Sequence, residues 1–170
     1  MIEKELLEAL LKAEELEIQG KNFYLEAAEK VGVPSVKDLF KHLAKEEDLH
    51  RKKIIEIYQM IQDKKEAPKY VTKISKTHFS PVFDPTQVEK VASVETDLSA
   101  LEEALGFEEK SIKYYQNLSE KTKNPKVKRF FLALVQEEWS HYLSIFDSIE
   151  FLRDPSSWHT FKEHWGLEGV

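Results

Sequence analysis

Residues 43–54, LAKEEDLHRKKI, and residues 134–145, LVQEEWSHYLSI, decide how this chain folds. Each holds two consecutive glutamates and a histidine three positions after the second, set in apolar residues spaced three and four apart. Around Glu47, the residues Phe40, Leu43, Ala44 and Ile54 fall on one face of a helix; around Glu138, so do Phe131, Leu134, Val135 and Ile145. His50 and His141 share that face, because residues three apart are neighbours on an α-helix. Both segments therefore read as amphipathic helices that turn a carboxylate and an imidazole towards the core.

The two segments lie 91 residues apart, and sliding the whole sequence by that offset superimposes its halves without a gap. Identities fall at Ala9/Ala100, Leu10/Leu101, Ala13/Ala104, Glu17/Glu108, Tyr24/Tyr115, Pro34/Pro125 and Phe40/Phe131, and continue through Glu46/Glu137, Glu47/Glu138 and His50/His141. Glu17 shares its helix face with Leu10, Ala13 and Tyr24, and Glu108 shares its own with Leu101, Ala104, Leu105, Ile112 and Tyr115. Two more carboxylates thus point inward.

Working outward, helical spacing runs from Ile2 to about Val31, stops at Gly32 to Pro34, and resumes from Ser35 until it fades in Gln62 to Glu66. A third helix is expected to start at a capping box of Ser99 and Glu102 and to run to about Lys123. After Asn124-Pro125 a fourth reaches about Leu152. The spacing predicts an all-α four-helix bundle over residues 1–152, built of repeats at about 2–61 and 97–152. Residues 67–94, punctuated by Pro68, Pro81 and Pro85, form a long crossover between helices two and three, with a short helix expected after Pro85. Such a crossover makes the middle helices parallel. Residues 153–170 carry Trp158, Phe161 and Trp165 and are expected to pack on the bundle as a short helical tail.

At 170 residues the chain can bury one real core. Charged residues make up 33%, with five Gly and six Pro, which suits long helices better than sheets or disorder. The net charge of −6, with no basic cluster, argues against nucleic-acid binding. The N-terminus has neither the apolar core of a signal peptide nor a span of about 20 apolar residues, so a soluble cytoplasmic protein with no membrane partner is expected. There is no cysteine, hence no disulfide and no iron–sulfur centre, and any electrons must come from outside.

Four carboxylates in one small core would each lose several kcal/mol of solvation, so something cationic should sit between them. Two divalent metals answer this, since one Glu from each of two helices and Glu-x-x-His from each of the others is the carboxylate-bridged di-metal pattern. Oxygen-rich coordination with one imidazole apiece suits iron or manganese better than metals that favour thiolates, and iron is the better fit. A single Glu-x-x-His arises readily by chance on a helix; two in register on apolar faces do not. The competing reading is a vestigial site whose carboxylates are protonated or bonded to one another.

Other residues carry two readings each. Glu46 and Glu137 sit about 100° round the helix from the inward glutamates, on a solvated face or placed to accept a hydrogen bond from the histidine of the opposite motif. Tyr24 and Tyr115 either bury a ring or bond a ligand carboxylate through the hydroxyl. Trp139 reads as packing or interface surface. His42, His78, His159 and His164 have no partner at ligand spacing and read as structural or surface residues.

The stretches EIQGKNFY (17–24), EEDLH (46–50), FEEKSIKYY (107–115) and EEWSH (137–141) resemble the rubrerythrin branch of the ferritin-like superfamily, and the resemblance extends to about Leu152. It implies a ferritin-like bundle with Glu17, Glu47, His50, Glu108, Glu138 and His141 as ligands of two iron ions, and Tyr24 and Tyr115 near them. It also implies reduction of hydrogen peroxide or dioxygen, with Glu47 and Glu138 bridging and Glu17 and Glu108 terminal. Typical members carry a further carboxylate one turn after the third-helix ligand; here Ser111 stands there, while Glu109 points elsewhere. The electron-feeding rubredoxin domain of typical members has no counterpart, so the chain looks like the shorter, erythrin-like form, served by a separate rubredoxin or reductase. Iron handling by ferroxidase chemistry and a non-catalytic bundle are the alternatives. Because neither helical hairpin can bury its apolar face alone, a homodimer is expected, either unswapped or with hairpins exchanged through the linker.

Overall fold

The computed structural model describes residues 3–63 and 94–155, which form four long helices and, among the described residues, no strand. They are α1 (Glu3–Lys30), α2 (Pro34–Gln62), α3 (Glu95–Lys121) and α4 (Pro125–Arg153). The crossover over 67–94, except Val94, and the tail beyond residue 155 lie outside the described residues, as do the helix expected after Pro85 and His78, His159 and His164. Among the described residues no helix is long and apolar enough to cross a membrane.

Each repeat turns at the same place for the same reason. Proline at the first position of α2 and of α4 needs no backbone donor and forces the residue before it into extended backbone, so Val33 (φ −76°, ψ 120°) and Asn124 (φ −75°, ψ 116°) both break the helical path. The caps differ. Asn124 accepts from the N–H groups of Lys126 (3.0 Å) and Val127 (3.4 Å) through its own side chain. Val33 has no such side chain; instead the buried Asp97 of α3 accepts from the N–H of Gly32 (3.0 Å) and of Val33 (2.8 Å). The second repeat thereby finishes the turn of the first.

Asp97 also corrects the expected start of α3. The helix begins at Glu95, with Val94 before it and no side-chain cap, so Ser99 and Glu102 lie inside the helix and form no capping box. Glu95 and Asp97 place acidic groups in the first turn, where the helix dipole favours them, and Asp97 is anchored across the bundle.

α1 packs antiparallel on α2, joined by Lys21–Asp48 (2.8 Å) and Arg51–Glu14 (3.4 Å), and α3 packs on α4, joined by Arg153–Glu102 (3.0 Å). The hairpins meet where α1 lies antiparallel to α3 (Tyr114 hydroxyl to Ala9 carbonyl, 2.8 Å) and α2 to α4 (Lys53 to Glu137, 3.1 Å). The middle helices α2 and α3 are therefore parallel, the arrangement of a ferritin-like bundle.

The core is divided. One apolar cluster gathers Tyr24, Leu39, Phe40 and Leu43 with Leu101 and Ile145; the other holds their repeat mates Tyr115, Phe130, Phe131 and Leu134 with Leu10 and Ile54. Every helix passes from one cluster to the other, and the crossing falls at Glu17 on α1, Glu47 and His50 on α2, Glu108 on α3, and Glu138 and His141 on α4. All six are buried between two dry layers.

Candidate metal centre

The buried side chains at mid-bundle form two overlapping groups. One oxygen or nitrogen from each of Glu17, Glu47, His50 and Glu138 lies within 4.8 Å of the others, and the same holds for Glu47, Glu108, Glu138 and His141. Glu47 and Glu138 belong to both. Each group thus has its own glutamate and its own histidine, with two carboxylates between them.

The histidines present the same ring atom inward. Nδ1 of His50 is 3.0 Å from Glu138 and 3.4 Å from Glu17, and Nδ1 of His141 is 3.6 Å from Glu47, 3.6 Å from Glu108 and 3.7 Å from Glu138. The rings stack with centroids 5.4 Å apart. On its far side, Nε2 of His50 is 2.8 Å from the carboxylate of Glu137, which Lys53 also meets at 3.1 Å. Neither ring nitrogen of His50 has a hydrogen bond of good angular geometry, so the short Nε2 approach is an ion-pair distance. Glu46, half-buried, keeps a carboxylate oxygen within 4.8 Å of a ring nitrogen of His50 and of His141.

Two tyrosines lock the outer carboxylates across the repeats. The Tyr24 hydroxyl donates to Glu108, and the Tyr115 hydroxyl donates to Glu17. Both phenols are fully buried, and burial together with these carboxylates pushes their pKa well above 10.

The charges of the cluster are mutually frustrated. Burial pushes the Glu47 carboxyl well up, with Glu17 and Glu138 adding to it; burial and Glu138 raise Glu108 to about 8, against the pull of His141. Burial acts on Glu138 too, but His141 and His50 outweigh it and hold its carboxyl well below the usual range. Glu137 also resists burial and stays at about 2 beside His50 and Lys53. Burial would lower both imidazoles, yet Glu137, Glu138 and Glu17 around His50, and Glu108 and Glu138 around His141, raise them well above 6.5.

The donor set fits a pair of metal ions. Among the described residues nine buried side-chain atoms have no hydrogen-bond partner, and eight of them belong to Glu17, Glu47, His50, Glu108, Glu138 and His141. Buried polar atoms are rarely left unpaired; apart from His50 Nε2, which faces Glu137, the remaining seven lie in the two groups at mid-bundle and mark a place for cations. Carboxylate oxygens with one imidazole per group suit iron or manganese.

The remaining expected residues sort themselves by position. Glu109 is exposed and pairs with Lys113 at 3.1 Å, and Ser111 is buried one turn after Glu108. His42 is half-buried and belongs to none of the ligand groups. Trp139 is 44% exposed, its ring edge-to-face with Tyr142.

Two features escaped the sequence reading. Lys53 follows His50 by three positions, a spacing that could have suggested its place beside Glu137. Gly20, one turn after Glu17, lets α1 approach the centre: a Cβ there would come within 2.8 Å of the Phe107 ring and 3.2 Å of the Glu47 carboxyl carbon. A glycine in mid-helix beside a ligand position was its signal.

Comparison with known proteins agrees with this geometry. Residues 8–143 match the sequence model of the family described as Rubrerythrin, and a second match covers 99–165; their starts are 91 residues apart, the offset of the internal repeat. A hypothetical protein from Pyrococcus furiosus has a similar structure, with 26% identity, a TM-score of 0.66, and coverage of 88% of this chain and 90% of that one. A dodecameric thioferritin, the bacterioferritin-related protein from Bacteroides fragilis, shares the fold at 21% identity and a TM-score of 0.64, over 97% and 92% of the two chains. Curated proteins give no significant match.

Proposed function

Because the chain belongs to the rubrerythrin family, we propose that it is a soluble, cytoplasmic non-haem di-iron protein that reduces hydrogen peroxide or dioxygen with electrons from a separate donor. The observation that carries this reading is the pair of buried groups sharing Glu47 and Glu138, with their unpaired oxygens and nitrogens at mid-bundle. Glu17 and His50 would complete one ion's shell, Glu108 and His141 the other's, and Glu47 and Glu138 would bridge. Iron held there would supply the two electrons that, with two protons from solvent, reduce hydrogen peroxide to two waters.

The chain's own groups prepare that chemistry. Tyr24 and Tyr115 hold Glu108 and Glu17 in one orientation, and each carries a proton at the phenol oxygen beside a terminal carboxylate. Glu137 faces Nε2 of His50 and so favours the tautomer that leaves Nδ1 free to ligate. The apolar clusters above and below keep bulk water away. The 170 residues contain no cysteine, so the returning electrons come from a carrier such as a rubredoxin or a reductase. The position one turn after Glu108 is Ser111, which leaves Glu108 as the carboxylate of that turn. A homodimer is the assembly we expect.

The test is anaerobic reconstitution with ferrous iron, metal analysis, and stopped-flow mixing with peroxide and with dioxygen. The reading requires about two metals per chain and oxidation of the centre by at least one of the two. Failure to retain metal would leave a vestigial bundle, and uptake far beyond two ions with mineral formation would point to iron storage instead.

A further inference from the structure

The outermost stripe of α4 runs through Lys128, Leu132, Trp139, Leu143, Phe146 and Glu150, all exposed. At 3.6 residues per turn they fall within an arc of about 60°. Leu132, Trp139, Leu143 and Phe146 leave 45, 44, 49 and 42% of their surface open, a patch on the order of 400 Å², the size of the largest apolar patch on a typical monomer and often a functional one. The fold does not require it. At the same four positions of the repeat, α2 carries Lys41, Asp48, Lys52 and Ile55.

The charges at the ends of the stripe identify what fits against it. Lys128 stands as far before Trp139 as Glu150 stands after it, and so does Leu132 relative to Phe146. Arg129 and Asp147 flank the stripe on one side, near its two ends. Lay a second α4 antiparallel about a twofold axis at Trp139, and Leu132 meets the partner's Phe146, Lys128 meets the partner's Glu150, and Arg129 comes beside the partner's Asp147. A parallel pair would set Lys128 on Lys128 instead. Glu150 also pairs with Arg153 on its own helix at 3.4 Å, yet 47% of its side chain stays open to a second cation.

We propose that the outer face of α4 joins two copies of this chain, as an antiparallel α4–α4 pair centred on Trp139. Two such patches bury about 800 Å² of apolar surface, below the roughly 1,200 Å² of a stable interface, so with its charged rim the pair is expected to be a weak dimer of about micromolar affinity. Trp139 is its anchor, as large aromatics at the centre of an interface usually are. The inference does not depend on metal binding.

The full chain, sedimented at micromolar concentration, tests it. Trp139→Asp and Leu143→Lys place on α4 the residues that α2 carries at the same repeat positions, so folding should survive, as far-UV circular dichroism will show. Each should weaken the dimer at least about tenfold. Lys128→Glu and Glu150→Lys should each weaken it too, and the two together should restore it. A wild-type monomer would overturn the proposal. A dimer indifferent to Trp139→Asp, or a charge swap that fails to rescue, would overturn it equally.

Discussion

Replacing Gly20 with alanine tests how tightly α1 is drawn onto the centre. On an ordinary helix this change stabilises by about 1 kcal/mol, because glycine is the poorer helix former. Here the new methyl would sit 2.8 Å from Cε1 of Phe107 and 3.2 Å from both Cδ and Oε2 of Glu47. Overpacking of this kind costs about 1–3 kcal/mol, so the gain should vanish or invert, to a net loss of up to about 2 kcal/mol. Two controls isolate the cause. A Cβ at Gly106 would meet nothing within 4 Å, and Gly106→Ala should gain up to about 1 kcal/mol. At the repeat-related contact Leu16 and Ser111 stand where Phe107 and Gly20 stand here, so a Cβ goes with a smaller neighbour there. Gly20→Ala should therefore turn neutral or stabilising in a Phe107→Leu background, a coupling of about 1–2 kcal/mol. Urea unfolding of the metal-free single and double variants measures all of this. If Gly20→Ala stabilises the wild type as much as Gly106→Ala does, α1 is not held against Glu47 and the reasoning fails.

Glu47→Ala and Glu138→Ala should each abolish most metal binding while leaving far-UV circular dichroism intact; normal metal stoichiometry in both would remove them as bridges. Metal-free protein should be most stable in mildly acid solution. Glu47 and Glu108 have folded pKa values above the ordinary 4.5, so the stability they contribute is complete below it and is lost as pH rises towards 8. His50 and His141, also raised, lose theirs above 6.5. Glu137 and Glu138, depressed, keep theirs above 4.5 and lose it in stronger acid. Denaturation of chelated protein across this range should show the decline, and Glu108→Gln should flatten it. Metal retention should run the opposite way, since ligation needs ionised carboxylates and neutral imidazoles. Asp97→Ala strands the N–H groups of Gly32 and Val33 and should cost about 2–4 kcal/mol in thermal or urea unfolding, without changing metal stoichiometry.

Helical period told which face of each segment turns inward, which is why Glu17, Glu47, Glu108 and Glu138 could be picked out before any fold was known. It says nothing of what lies opposite on another helix. That is where reading failed or stayed open. Ser99 and Glu102 imitate a capping box, but the start of α3 is set by Asp97 bonding across to Gly32 and Val33, a partner 64 residues away in the chain. The two readings of Glu137 could not be separated along one helix; the approach of His50 Nε2 from α2 favours the contact over a solvated face. Glu46, its repeat mate, is half-buried where Glu137 is buried, so the duplication is not strict. Gly20 carries no meaning within α1 alone; it is explained by Phe107 and Glu47 beside it on other helices.

The sharing of Glu138 between both ligand groups bears on when the protein could take up metal in a cell. As synthesis proceeds from the N-terminus, Glu17, Glu47 and His50 emerge early, yet each group of four still lacks Glu138, and Glu17 still lacks the phenol of Tyr115. Neither cage can close on the ribosome until the last helix is out. On the function proposed above, loading would follow folding by the order of residues in the chain, because an ion met earlier would find only the Glu17, Glu47 and His50 half of a site.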